Sequence, residues 1–244
     1  FDRDGKYKAS IGGEGRGQTQ FLFPDNVFYR SKTQKYYVYD GDLLRVQEYN
    51  RDFMFNRSFP LPLFIEALGI SDDDRIFCYS SGTASIKGAD KVVYECDWEG
   101  KIRNSFCKQA RMFSPYAESK GGGILLAGNC IYVITPYEYV IHQYTLDGKA
   151  IRSIKGTSRN YVPLSIKPKM PASFEDLNER MAFHATWSHM RQILKIGNMI
   201  GIVFAEPGER RVFLDLYDYD LDRMTGDILL PKYIGLGGVY CQGD

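Results

Sequence analysis

The segments Phe1–Gly5, Tyr49–Phe53, Cys96–Gly100, Tyr144–Gly148 and Tyr217–Leu221 share one form: the end of a strand-like run, an acidic turn, then a new strand-like run. Their starts lie 48, 47, 48 and 73 residues apart, so the last interval holds one repeat plus 25 inserted residues. Asp and Gly suit the turn and left-handed conformations that join antiparallel neighbours. Three further β-branched and aromatic runs fill each interval. Asn26–Arg30, Phe64–Ser71, Gly123–Gly128 and Gln192–Gly197 come first. Tyr36–Asp40, Arg75–Ser80, Cys130–Thr135 and Met199–Ala205 come second. Leu44–Tyr49, Lys91–Cys96, Val140–Tyr144 and Val212–Tyr217 come third. Behind the acidic turns stand Lys6–Ile11, Met54–Phe59, Lys101–Phe106, Lys149–Ile154 and Thr225–Leu230.

Four strands per repeat of about 47 residues predict an all-β fold, a β-propeller of four-stranded antiparallel blades. A sandwich has no reason to repeat at this period, and a solenoid uses shorter units. The count gives four complete repeats, a lone outer strand at the start and an incipient strand near Gly238–Cys241. Closed rings hold four to eight blades, and six would need roughly 280 residues. The expectation is therefore a single propeller domain over residues 1–244, incomplete at both ends and six-bladed in the full protein, with residues 157–188 inserted in it.

Composition narrows the class. The chain holds 18 Tyr, 15 Phe and 24 Gly, which suits short strands and tight turns. With 31 basic and 30 acidic side chains it lacks the basic excess of a nucleic-acid module, and no nucleic-acid partner is expected. No apolar run reaches the eighteen residues of a membrane span. The chain opens at Phe1 without an initiator Met or a signal-peptide pattern, so the native start and any lipid anchor are expected outside it. Cys78, Cys96, Cys107, Cys130 and Cys241 form no C-x-x-C pair, which excludes a zinc ribbon and reads as small packed residues.

The stretch Ile11-Gly12-Gly13-Glu14-Gly15-Arg16-Gly17-Gln18, followed by Phe21-Leu22-Phe23-Pro24, resembles the six-bladed propeller group related to NHL and TolB-like proteins. Phe213–Pro231 resembles it too. The second repeat departs from the pattern with Phe53 at the turn glycine, and the glycine-rich join is absent after Phe59 and Phe106. The bacterial members most like this chain are secreted or lipid-anchored, so the resemblance implies a protein of the cell envelope or exterior. It transfers a fold and not an activity.

Catalytic patterns are weak. Gly12, Gly13, Gly15 and Gly17 precede a strand instead of a helix, so they read as a blade join and not a phosphate cradle. His184 and His189 are five apart, about 140° on a helix, which rules out a zincin pair. Asp218, Asp220 and Asp222 alternate as in a calcium loop, but Arg223 and Leu229 occupy the positions that need Gly and Glu. No metal or cofactor is expected. Calcium-dependent propeller hydrolases gather carboxylates and amides at one channel mouth. Asp25, Asn26, Glu66 and Asn129 are the candidates here, at repeat positions that disagree. Nucleic-acid binding of the NHL type would need a basic face built from residues such as Lys6, Lys8, Arg16 and Arg30. Catalysis is thus not indicated, and a binding module for a protein, peptide or glycan is the leading expectation.

The insertion is the most individual segment. Prolines at 163, 168 and 171 oppose strand pairing. Ser173 with Asp176 three residues on predicts a helix start, and Phe174, Leu177 and Met181 give a short apolar stripe. An insertion ahead of an innermost strand emerges at one mouth of the ring, and loops on rigid scaffolds carry binding. Arg159, Tyr161, His184, Trp187 and His189 are the candidate ligand-binding residues, since Trp, Tyr and Arg dominate binding hot spots.

Overall fold

The computed structural model describes residues 6–7, 10–81, 90–108, 121–164, 176, 178–179, 182, 185–209 and 211–231. Within them sixteen strands form four antiparallel four-stranded sheets, each continuous in sequence. Blade one holds β1 (Pro24–Arg30), β2 (Lys35–Asp40), β3 (Arg45–Tyr49) and β4 (Phe55–Pro60). Blade two holds β5 (Ala67–Ile70), β6 (Ile76–Tyr79), β7 (Lys91–Cys96) and β8 (Ile102–Lys108). Blade three holds β9 (Gly123–Ala127), β10 (Cys130–Thr135), β11 (Glu138–Thr145) and β12 (Ala150–Lys155). Blade four holds β13 (His189–Ile196), β14 (Met199–Ala205), β15 (Val212–Tyr217) and β16 (Arg223–Leu229). The first strands touch one another from blade to blade, β1 with β5, β5 with β9 and β9 with β13. They therefore line the axis, and the fourth strands form the rim.

The propeller read from the repeat is thus present as four blades. Two expectations fare differently. Lys6, Tyr7, Ser10 and Ile11 lie in no strand, and no neighbouring sheet pairs with them among the described residues. The incipient strand at Gly238–Cys241 lies outside the described residues.

Pairing register superposes the blades residue for residue. Tyr29–Tyr36–Tyr49, Ile70–Ile76–Cys96, Leu126–Ile131–Tyr144 and Lys195–Ile200–Tyr217 are equivalent cross-strand rows. These rows face the preceding blade, and the alternate residues Tyr37, Phe77 and Tyr132 face the following one. Both faces of a blade are buried, so runs such as Ile131-Tyr132-Val133-Ile134 are apolar throughout instead of alternating. Blade one breaks the equivalence. Leu68, Ile124 and Ile193 are 5–8% exposed, whereas Val27 at the same register position is 40% exposed, and Tyr29 beside it 45%. The face that elsewhere packs on a preceding blade is half open here. Among the described residues, 11–21 cover part of it, with Phe21 against Val38 and Tyr49.

The acidic turns dock each blade on its predecessor. Trp98 of the second turn lies edge-on to Phe59, with the Arg57 guanidinium 3.7 Å from its ring. Arg75 bonds Glu95 in its own blade at 2.7 Å and Asp147 of the third turn at 2.9 Å. The fourth turn gives its Tyr219 carbonyl to Tyr132 Oη at 2.9 Å and to Arg152 at 3.3 Å. The turn position that needs a left-handed backbone is Gly100 in blade two and Gly148 in blade three, but Phe53 in blade one. Phe53 holds φ at 61° regardless and stacks on Tyr36 at 5.0 Å, which offsets the roughly 1–2 kcal/mol that conformation costs. The glycines before Phe21 form a loop bonded to it, Phe21 N to the Gly13 carbonyl at 2.8 Å and Gly15 N to the Phe21 carbonyl at 3.0 Å. This matches a join.

Glu48, in the third strand of blade one, shows how a blade tolerates buried charge. Its carboxylate, 2% exposed, accepts from Lys35 at 2.6 Å and Arg57 at 3.0 Å. Burial would push its pKa up, but the Lys35 hydrogen bond and the Arg57 charge outweigh that and hold it below the ordinary value. A depressed folded pKa contributes stability that is present above the unfolded value and lost as pH falls through the folded one. Glu48→Gln should therefore destabilise the protein near pH 7 and flatten its acid limb below about pH 4.5. Denaturation midpoints measured across that range check it; an acid limb as steep as wild type refutes the assignment.

Candidate functional site

Chain order within a blade puts every blade-to-blade join on one face of the arc. The insertion leaves blade three there at Lys155 and re-enters at β13. Its first residue outside the strand, Gly156, lies flat on the Tyr139 ring, where any Cβ would sit 2.2 Å from Cε2. This close approach lets residues 157–164 fold back over the end of blade three. Beneath them a cleft of about 810 Å³ opens between blade three and the outer strand of blade four.

Tyr139 and Tyr161 floor the cleft, 5.2 Å apart centre to centre, and both rings rest on Phe204. Burial pushes both phenols above their ordinary range, so they act as neutral hydrogen-bonding groups and apolar surface, not as bases. One wall is a chain of paired polar groups. Asp215, fully buried, accepts from Tyr139 Oη and from Asp227 N at 2.6 Å, and pairs with Arg223 at 3.0 Å. Tyr217 donates to Tyr139 Oη at 3.0 Å. Asp227 accepts from the Ser158 hydroxyl and from Asn160 at 2.9 Å, tying the insertion to blade four. The Ser158 hydrogen bond, followed by those of Asn160 and Arg223, lowers the Asp227 pKa.

Three charged groups lining the cleft stand outside this network. The side chains of Lys155, Arg159 and Glu138 make no hydrogen bond or ion pair among the described residues.

The predicted cluster divides. Arg159 is exposed on the cleft rim, and Tyr161 is half-buried in its floor with Oη 3.4 Å from the Tyr137 carbonyl. His184 lies outside the described residues. Trp187 and His189 are 1% and 3% exposed, with rings 4.1 Å apart, and the indole also packs on Tyr137 at 5.3 Å. Both rings are thus packed inside the fold, where the return of the insertion meets Tyr137 of blade three. Of the expected helix only Asp176, Asn178 and Glu179 are described among residues 173–179; Asp176 Oδ1 accepts from the N–H groups of the other two, at 2.8 and 3.2 Å.

Sequence reasoning missed Asp215, Arg223, Asp227, Lys155 and Glu138. A signal for Asp215 was present. In Val-Phe-Leu-Asp-Leu-Tyr it shares the apolar face with Phe213 and Tyr217, and an acid there demands a partner. The four hydrolase candidates do not meet. Asp25, Asn26 and Glu66 stand at the join face, and Asn129 in the β9–β10 turn at the opposite end. Glu66 accepts from Ser81 N and Oγ at 2.7 and 2.6 Å. No three His, Cys, Asp or Glu converge among the described residues. A second cavity of about 650 Å³ lies at that opposite end, lined by the first strands and including Tyr29, Leu126 and Lys195. Cys78, Cys96 and Cys107 are buried and free, and Cys130 is half-buried and free.

No protein-family model matches this sequence, and no curated protein does. Solved structures do. A candidate exported protein of Bacteroides fragilis superposes with a TM-score of 0.67 at 16% identity, over 95% of this chain and 64% of that one. A DUF4221 member from Bacteroides vulgatus gives 0.59 at 13% identity, over 89% and 69%. A Bacteroides caccae protein of unknown function gives 0.55 at 11% identity, over 87% and 69%. This chain thus spans about two thirds of the length of the structures it resembles. At these identities the similarity establishes the fold: a β-propeller like those of Bacteroides proteins, one of them described as a candidate exported protein.

Proposed function

We propose that this chain is the larger part of a six-bladed propeller of an exported bacterial protein, a non-catalytic module that binds a ligand in the cleft beneath its insertion. The observation that carries the binding reading is the cleft itself. A tyrosine floor and three unpaired charged groups are arranged around about 810 Å³, within the usual range of ligand sites. The internally satisfied Asp215 network makes the wall rigid, as a preorganised site requires.

Ring completion rests on the exposed face of blade one, whose register equivalents are buried elsewhere. Four blades in 64–69% of a similar chain correspond to roughly six in the whole. Export rests on the resemblance and on the Bacteroides neighbours.

Arrays of peptides and glycans probed with the protein test the binding reading. A captured ligand should lose at least about tenfold in affinity with Arg159→Ala or Tyr161→Ala, each variant keeping the wild-type unfolding midpoint. A ligand indifferent to both substitutions would place binding elsewhere, with the channel the first place to look.

A further inference from the structure

The cleft has a chemistry more specific than its shape. Its acidic wall asks nothing of a ligand, since Asp215 and Asp227 are saturated by Arg223, Tyr139, Ser158 and Asn160. What remains open is two cations, Lys155 at the end of β12 and Arg159 in the insertion, and one carboxylate, Glu138 at the start of β11, around Tyr139 and Tyr161.

We infer that the ligand is an acidic saccharide whose carboxylate lies against Lys155 and Arg159 and whose ring lies on Tyr161. This rests on the cleft being the binding site. A guanidinium pairs a carboxylate bidentately, and an ammonium adds a second donor. Tyrosine presents an apolar face and a polar tip, which suits a sugar ring with C–H groups on one side and hydroxyls at its edge. Glu138 decides between classes. An unpaired carboxylate needs donors, which sugar hydroxyls supply in plenty. An acidic peptide would bring further carboxylates beside Glu138, a like-charge contact that costs affinity. A neutral sugar would leave both cations unused. Because Arg159 is exposed, the charge contribution is screened by salt.

The test is calorimetric titration of the protein with uronate-bearing and sialylated oligosaccharides, each beside its carboxyl-reduced counterpart, and with a glutamate-rich peptide. At least one acidic saccharide should bind, its reduced form about tenfold or more weaker. The double variant Lys155→Ala/Arg159→Ala should lose a similar factor with an unchanged unfolding midpoint. Glu138→Gln should weaken the same saccharide without abolishing its preference for the carboxylate. Equal binding of the reduced form overturns the anionic inference and leaves the cleft intact, provided Tyr161→Ala still abolishes it. Binding of the peptide with no saccharide bound overturns the class. Saccharide binding untouched by Tyr161→Ala and by the double variant overturns the cleft itself, and no binding by any panel member overturns the inference.

Discussion

Trp187→Ala should cost about 3–5 kcal/mol, whereas Arg159→Ala should stay within about 0.5 kcal/mol of wild type. The two residues look alike in the sequence, both in an insertion and both of the type that dominates hot spots. The fold separates them. Trp187 is 1% exposed, with its indole between Tyr137 and His189 and Leu164 packed nearby. Truncation there opens a cavity the size of an indole at the point where the insertion leads back into β13 of blade four. Domains are stable by only about 5–15 kcal/mol, so this is a large fraction of the whole. Trp187→Phe keeps a ring in the stack and should lose much less. Denaturant unfolding of the three variants measures this. A Trp187→Ala midpoint equal to wild type would mean that the indole does not hold the insertion.

The second large effect is expected at Asp215. Asp215→Ala should destabilise by about 3–5 kcal/mol, the usual result of removing one partner of a buried ion pair. The substitution removes the shorter of the two ion pairs of Arg223, leaving Asp227 at 3.4 Å, and strands the Tyr139 hydroxyl and the Asp227 N–H. Tyr139→Phe removes one neutral hydroxyl, which donates to Asp215 and accepts from Tyr217, and should cost about 1–2 kcal/mol. Since Asp215 holds Tyr139, Arg223 and Asp227, which line the cleft, Asp215→Ala should also weaken any cleft ligand beyond what the loss of fold accounts for. Unfolding free energies for the two variants, compared at one pH, give the ratio. If Asp215→Ala were as mild as Tyr139→Phe, the buried pair would be contributing little.

How much of this was legible in the sequence varies by element. The sixteen strands follow the apolar runs and the acidic turns closely, because alternation, β-branching and turn residues act within a few positions. Of the lone run Lys6–Ile11, the described residues Lys6, Tyr7, Ser10 and Ile11 lie in no strand. The run has the composition of an outer strand, yet strand formation needs a neighbour, which local pattern does not supply. The insertion was found as an interruption of the period, and its opening does line a cleft. That Trp187 and His189 of its aromatic cluster are buried was not legible, because composition does not say which face of a loop meets the core.

The sequence by itself determined the blade, its repeat and the turn that docks it, all set by interactions between near neighbours. Only the tertiary structure decided the site. Tyr139 meets Asp215 across 76 residues and Ser158 meets Asp227 across 69. Such meetings depend on how one blade stacks against the next and on where the insertion lands, and no local periodicity encodes them. The same holds for the open face of blade one. Val27 is an ordinary strand residue in the sequence, and only register against its three buried equivalents Leu68, Ile124 and Ile193 marks it as part of a surface made to pack on another blade.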